Sequence, residues 1–194
     1  MIIGITGSFG SGKTTVAKMF DRLGAYVIDA DKTCHSLMKP GGKVYVEIIK
    51  CFGRVILNKA GRIDRKKLAG VVFKNRAKIA LLNNIVHPEA IKEIKKLIRS
   101  NKGRGVIVVD APLLIESGFY KKMDKIVLVK SILSNQVSRA VLTRDMGEKE
   151  ITRRMRMQAP LKKKLALADF IIDNNGSKKK TLLQVKEIWK HAGA

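Results

Sequence analysis

Acidic residues are scarce in this chain. Asp and Glu number 16 against 40 Lys and Arg in 194 residues, a formal charge of +24 at pH 7. Such a surface attracts polyanions of any kind, whether nucleic acid, acidic membrane or phosphorylated small molecules, and charge alone does not choose among them. Cysteine is nearly absent. Cys34 and Cys51 show no CxxC or metal-ligand spacing, so they read as reduced thiols, and no disulfide framework or zinc site is expected. Aromatic residues make up only 5% and do not interleave with the basic runs, which argues against base stacking on single-stranded nucleic acid. No apolar run approaches the roughly 20 residues needed to span a bilayer. The N-terminus enters a strand-like segment at once, so no signal peptide is expected and the chain reads as soluble and cytoplasmic. Hydrophobic residues still make up 45%, enough for one main domain with a sizeable core and room for an inserted cap.

Five short apolar runs read as strands: residues 1–6 (MIIGIT), 25–28 (AYVI), 105–109 (GVIVV), 125–129 (KIVLV) and 170–172. Helical spacing appears over residues 14–23, 44–52, 66–75, 77–100, 134–144, 148–157 and 182–189, with a boundary or kink expected at His87-Pro88. Residues 53–65 read as a turn-rich connection. Strands alternate with helices, and each strand is a solid apolar run rather than an alternating one. That pattern predicts an α/β fold with a parallel sheet covered on both faces. Residues 31–101 contain no clear strand and are expected to form a helical cap.

The most specific motif is Gly7-Ser8-Phe9-Gly10-Ser11-Gly12-Lys13-Thr14, a full G-x-x-x-x-G-K-[ST] phosphate loop between a predicted strand and a predicted helix. A loop that wraps a phosphate must aim several backbone N–H groups inward, and glycine reaches the dihedrals this requires. The helix that follows adds its positive dipole end. Lys13 supplies a mobile cation for the β- and γ-phosphates, and the Thr14 hydroxyl is placed to ligate Mg²⁺. ATP and Mg²⁺ are therefore the expected cofactors.

Ligands of an open parallel sheet bind beyond the carboxyl ends of its strands. Asp29 and Asp31 follow the second strand, where a carboxylate can accept the proton of an attacking hydroxyl or, more plainly, cap a helix. Asp110 ends the GVIVV strand, the usual place for a carboxylate that supports Mg²⁺. Glu116 either holds a loop or faces solvent. His35 and His191 read as surface groups, and Trp189 as a packing residue of the last helix.

Together these residues resemble the dephospho-CoA kinase family along the whole chain. The resemblance rests on GITGSFGSGKTTVA at 4–17, VIDADK at 27–32, IDR at 63–65, Phe73, HP at 87–88, VVDAPLLIESG at 108–118 and RMRMQAPLKKKLALADFIIDNNGS at 154–177. It implies a P-loop, nucleoside-kinase-like fold of three layers. A five-stranded parallel core would be built from about 1–31, 102–133 and 165–194. A helical CoA-binding region would span about 32–101 and a mobile lid about 134–164. The implied reaction moves the γ-phosphoryl of ATP to the 3′-hydroxyl of dephospho-CoA, in a monomer or weak homo-oligomer. By resemblance, Gly10, Ser11, Gly12, Lys13, Thr14 and Thr15 hold the ATP phosphates, and Asn175 and Gly176 pass near the adenine. Asp31 is the base; Thr14 and Asp110 serve the metal. His87, Pro88 and Leu113 belong to the acceptor pocket.

The lid arginines implied by the family are Arg139, Arg144 and Arg154. Arg139 and Arg144 stand five apart rather than four, so they lie about 140° apart on an ideal helix, and Arg144 is favoured over Arg139 as the phosphate contact. The runs 162–164 and 178–180 read as solvated lysine faces, with Lys164 a partial exception. Two other readings stay open at this point: a kinase for a nucleoside or nucleotide, and a basic nucleic-acid-binding protein that uses the loop as a switch.

Overall fold

A computed structural model describes residues 1–72, 75–144 and 148–193, apart from the side chains of residues 143, 144, 148–150 and 154. Phe73 lies outside the described residues. The chain forms two compact units, one of Met1–Asp29 with Ile98–Ala194 and one of Ala30–Leu97. The strands are β1 (Ile2–Gly7), β2 (Tyr26–Asp29), β3 (Ile107–Asp110), β4 (Lys125–Lys130) and β5 (Phe170–Asp173). The helices among the described residues are α1 (Lys13–Arg22), α2 (Ala30–Leu37), α3 (Lys43–Phe52), α4 (Arg65–Val72), α5 (Arg76–Ser100), α6 (Leu133–Arg144), α7 (Glu148–Arg156), α8 (Leu161–Leu167) and α9 (Lys178–His191). None of them is long and apolar enough to cross a membrane.

In the first unit all five strands pair in parallel, in the order β2-β3-β1-β4-β5. The expected five-stranded parallel sheet is therefore present. β1 is central, with β3 on one side and β4 on the other, so the chain changes sides at the carboxyl end of β1. That reversal opens the crevice in which ligands of such sheets bind. The strands are solidly apolar because both faces are covered. On one face Ile3, Ile5 and Val127 pack with Val16 and Phe20 of α1 and with Val185 of α9. α1 buries Val16, Ala17, Met19 and Phe20 while Lys18, Asp21 and Arg22 stay exposed, the one-sided pattern of a helix lying on a sheet. Burying Phe20 completely contributes about 2–3 kcal/mol. Trp189 packs against the same cluster. On the opposite face Leu114 and Met123 press so close to Gly4 that a Cβ there would meet them at 2.6 and 2.7 Å.

The second unit contains α2, α3, α4 and most of α5. Its core is Val44, Ile48, Phe52, Ile56, Leu68 and Val86. The turn-rich stretch after α3 is tied down by the Tyr45 hydroxyl, which donates to the Gly61 carbonyl, and by an isolated bridge between Leu57 and Ile63.

Four details sharpen or depart from the sequence expectations. α5 runs through Pro88 without ending. Proline lacks the N–H that would bond the carbonyl of Asn84, but Asn84 is exposed, so water can satisfy that group. α2 and α8 are helices the pattern did not announce, because each is short and carries its apolar residues on barely two turns. α9 begins at Lys178, four residues before the expected 182, because the Ser177 hydroxyl caps it by accepting from Lys180 N. Lys164, the partial exception in its lysine run, is wholly buried.

Candidate active site

The phosphate loop joins β1 to α1 in the first unit. Gly12 is the N-cap of α1 at φ 91°, ψ 23°, and a Cβ there would lie 2.1 Å from Asn174 Nδ2. Gly10 sits at φ 76°, and a Cβ would lie 2.4 Å from the Gln136 carbonyl oxygen. Both positions need glycine twice over, for a left-handed backbone and for the close approach of a neighbour. Ser11 N donates to Ser8 O at 3.1 Å, and Thr15 N donates to Gly12 O at 3.0 Å, which winds the loop directly into the helix. The first-turn amides and the helix dipole then present positive character at the loop. Ser11 is fully buried, and its hydroxyl has no hydrogen-bond partner among the described residues. Lys13 is 8% exposed and arches back, donating from Nζ to Gly7 O at 3.1 Å and Ser8 O at 2.9 Å.

Two side chains hold the loop, one from just past β5 and one from α6. Asn174, just past β5, donates from Nδ2 to Ser11 O at 2.8 Å, and its Oδ1 accepts from the buried Thr181 hydroxyl at 2.9 Å. Arg139 of α6 donates to Asn174 O at 2.8 Å, to Ser131 Oγ at 3.3 Å and to Ser11 O at 3.4 Å. Arg139 therefore faces the loop. The side chains of Arg144 and Arg154 lie outside the described residues. Asn175 turns to the segment after β4, where its Oδ1 accepts from Ile132 N at 2.7 Å, Ser131 Oγ at 3.1 Å and Asn135 Nδ2 at 3.3 Å. Gly176 is exposed beside Lys180.

The metal candidates come together. The Thr14 hydroxyl donates to Asp110 Oδ2 at 3.2 Å, and Asp110 is 6% exposed at the end of β3. Asp110 is also the register partner of Asp29 at the end of β2. No group of three or more His, Cys, Asp or Glu side chains forms a metal cage among the described residues. A hydroxyl beside one carboxylate is a hard-oxygen donor set of the kind that suits Mg²⁺, which keeps waters and takes its remaining ligands from phosphate.

The acceptor-side candidates are distributed. Asp31 lies in the first turn of α2, in the second unit. His87 is half-buried in α5, and burial lowers its pKa below the ordinary histidine value. Pro88 is exposed beside it, and Leu113 is half-buried in the turns that follow Asp110.

Gln158 and Asn174, which the sequence alone gave no role, contact the phosphate loop, and Glu116 holds a loop, one of the two roles open to it. Gln158, between α7 and α8, accepts from Phe9 N at 2.7 Å through Oε1 and donates from Nε2 to Pro112 O at 3.2 Å and Gly7 O at 3.3 Å. Glu116 accepts from Ala159 N at 2.7 Å and lies 3.2 Å from Lys164 Nζ. That ion pair is within range but outside hydrogen-bond geometry. Asn174 carries the one signal sequence reasoning had available, since it stands at the carboxyl end of a strand, where site residues collect.

The family model described as "Dephospho-CoA kinase" matches residues 1–180. A curated dephospho-CoA kinase of Aquifex aeolicus is 44% identical over 188 residues, covering 97% of this chain and 95% of that one. Among solved structures, a Thermus thermophilus protein aligns over 98% of this chain and 96% of its own at TM-score 0.85 and 27% identity. Campylobacter jejuni dephospho-CoA kinase aligns over the same shares at TM-score 0.72 and 26% identity. With its phosphate loop, parallel sheet and end-to-end match, the chain belongs to the dephospho-CoA kinase family.

Proposed function

We propose that this chain transfers the γ-phosphoryl group of ATP to the ribose 3′-hydroxyl of 3′-dephospho-CoA, giving CoA and ADP. Family membership over nearly the whole chain carries the reading. The loop supports it chemically, because a phosphoryl donor needs the amide cradle, the Lys13 cation and the Thr14–Asp110 oxygen pair.

In this reading the amides of residues 10–15 hold the ATP phosphates. Lys13 turns from the Gly7 and Ser8 carbonyls toward the β- and γ-phosphates. Thr14 and Asp110 would hold Mg²⁺, which when bound offsets phosphate charge. Asp31 accepts the proton of the 3′-hydroxyl as its oxygen bonds to the γ-phosphorus and the bond to the β-phosphate oxygen breaks. Its support is position: Asp31 follows Asp29, the β2 residue in register with Asp110, by two residues. His87 and Pro88, and separately Leu113, would contact the acceptor, and Asn175 and Gly176 would run beside the adenine. Residues 134–164 form a lid whose arginines, Arg139 and Arg144, add positive charge and whose closure excludes water. Catalysis is then positioning plus charge stabilisation.

The test is a coupled ADP-release assay with dephospho-CoA, adenosine, uridine and nucleoside monophosphates, each with and without Mg²⁺. The proposal expects Mg²⁺-dependent turnover with dephospho-CoA far above the others. Preferred turnover of a nucleoside or nucleotide would replace it with the nearest rival.

A further inference from the structure

Gln158 has no part in the mechanism above, yet its amide makes three contacts, two of them to the phosphate loop. Its Oε1 takes the Phe9 N–H, so that amide is held by protein and not left to an anion. Its Nε2 shares the Gly7 carbonyl with Lys13 Nζ. The third contact, to Pro112 O, ties the same amide to the loop after Asp110. One side chain thereby sets the spacing between the phosphate loop and the segment that follows the metal candidate.

The neighbouring residue is fastened as well. Ala159 N donates to Glu116, and Glu116 is paired with Lys164, whose side chain is only 1% exposed. The connection between α7 and α8 is therefore pinned on both sides: by Gln158 to the phosphate loop, and by Glu116 and Lys164 to the loop after β3. This pin falls within the segment read as the lid, residues 134–164, near its C-terminal end, with α6 and α7 on its N-terminal side.

We propose that Gln158 is a positioning residue that couples the base of the lid to the shape of the phosphate loop; this rests on the kinase reading above. It keeps a partner on the Gly7 carbonyl when Lys13 swings to the phosphates. It also fixes Phe9 so that the remaining loop amides keep their direction. A residue in this role sets ATP affinity and the rate of transfer, and leaves binding of the acceptor nearly untouched.

The experiment uses the full chain with Gln158→Met, which keeps side-chain length and removes both polar groups, and Gln158→Glu, which keeps an acceptor for Phe9 N but loses the donor. ATP affinity is read by calorimetry without the acceptor, kcat and both KM values by ADP release, and folding by thermal unfolding. Loss of two loop contacts predicts ATP binding weakened about tenfold in the Met variant. The Glu variant should fall at least as far, since its carboxylate faces the Gly7 and Pro112 carbonyls. The acceptor KM should stay within about twofold in both. ATP affinity within twofold of wild type, or an equal rise in both KM values, overturns the proposal. If the Met variant does not fold, the Glu variant carries the same comparison. Because ATP binding is read without the acceptor, a wild-type chain that binds ATP but ignores dephospho-CoA would defeat the functional reading and leave this one standing.

Discussion

Gly12→Ala should unseat the phosphate loop, and the structure gives the size of the effect. Gly12 has φ 91°, where an L side chain costs roughly 1–2 kcal/mol. The new Cβ would lie 2.1 Å from Asn174 Nδ2, so Asn174 must move. Asn174 is 7% exposed, and moving it breaks the bond to Ser11 O and the bond from the Thr181 hydroxyl, roughly 1 kcal/mol each. The sum is about 3–4 kcal/mol, which for a chain of this length lowers Tm by about 10 °C. The assay is thermal unfolding together with ATP binding by calorimetry. Asn174→Ala should remove part of the clash, so in that background Gly12→Ala should cost at least about 1 kcal/mol less. A Gly12→Ala variant within about 0.5 kcal/mol of wild type, with unchanged ATP affinity, would refute the reasoning about both the left-handed cap and the Asn174 contact.

Other perturbations probe separate parts of the account. Asp31→Asn should spare ATP binding and lower kcat by about 10²-fold or more, read by calorimetry and ADP release; near-normal turnover removes Asp31 as the base. Glu116→Ala strands the buried Lys164 ammonium and should destabilise the chain by about 3 kcal/mol in urea unfolding. The pair Glu116→Gln with Lys164→Met should restore much of that loss, and no restoration would mean the charge was not the cause. His87 bears on pH. Burial lowers its folded pKa, so the unfolded chain binds the proton first as pH falls below about 6.5. Its contribution to stability is thus complete above that value and is lost between the unfolded and the lower folded pKa. His87→Gln should flatten this part of the stability–pH curve, and an unchanged slope would contradict the assignment.

The sheet and the phosphate loop were legible because their chemistry restricts residue choice. Strands covered on both faces must be solidly apolar, and a loop at left-handed φ beside a neighbouring carbonyl must be glycine. The Thr14–Asp110 pair was readable because strand ends and motif positions are fixed in the chain. What escaped depends on distant partners. Lys164 sits in a run of three lysines, and only Glu116, far away in sequence, explains its burial. Gln158 carries no local sign that its amide reaches Phe9, Gly7 and Pro112. Arg139 and Arg144 could be placed on different faces of a helix from their spacing, but that Arg139 faces Ser11 and Asn174 required the packing of α6 against the loop. Pro88 argued for a boundary or kink by a sound local rule; no boundary forms, and Asn84, whose carbonyl loses its helical partner, is an exposed residue.

The most direct test of the central claim is the position of the new phosphate. Dephospho-CoA, ATP and Mg²⁺ are incubated with the purified chain, and the product is resolved by phosphorus NMR and mass spectrometry. The account predicts one added phosphoryl group, as a monoester on the ribose 3′-oxygen, with ADP formed in equal amount. ADP without a phosphorylated acceptor, or a phosphate at any other oxygen, would contradict it.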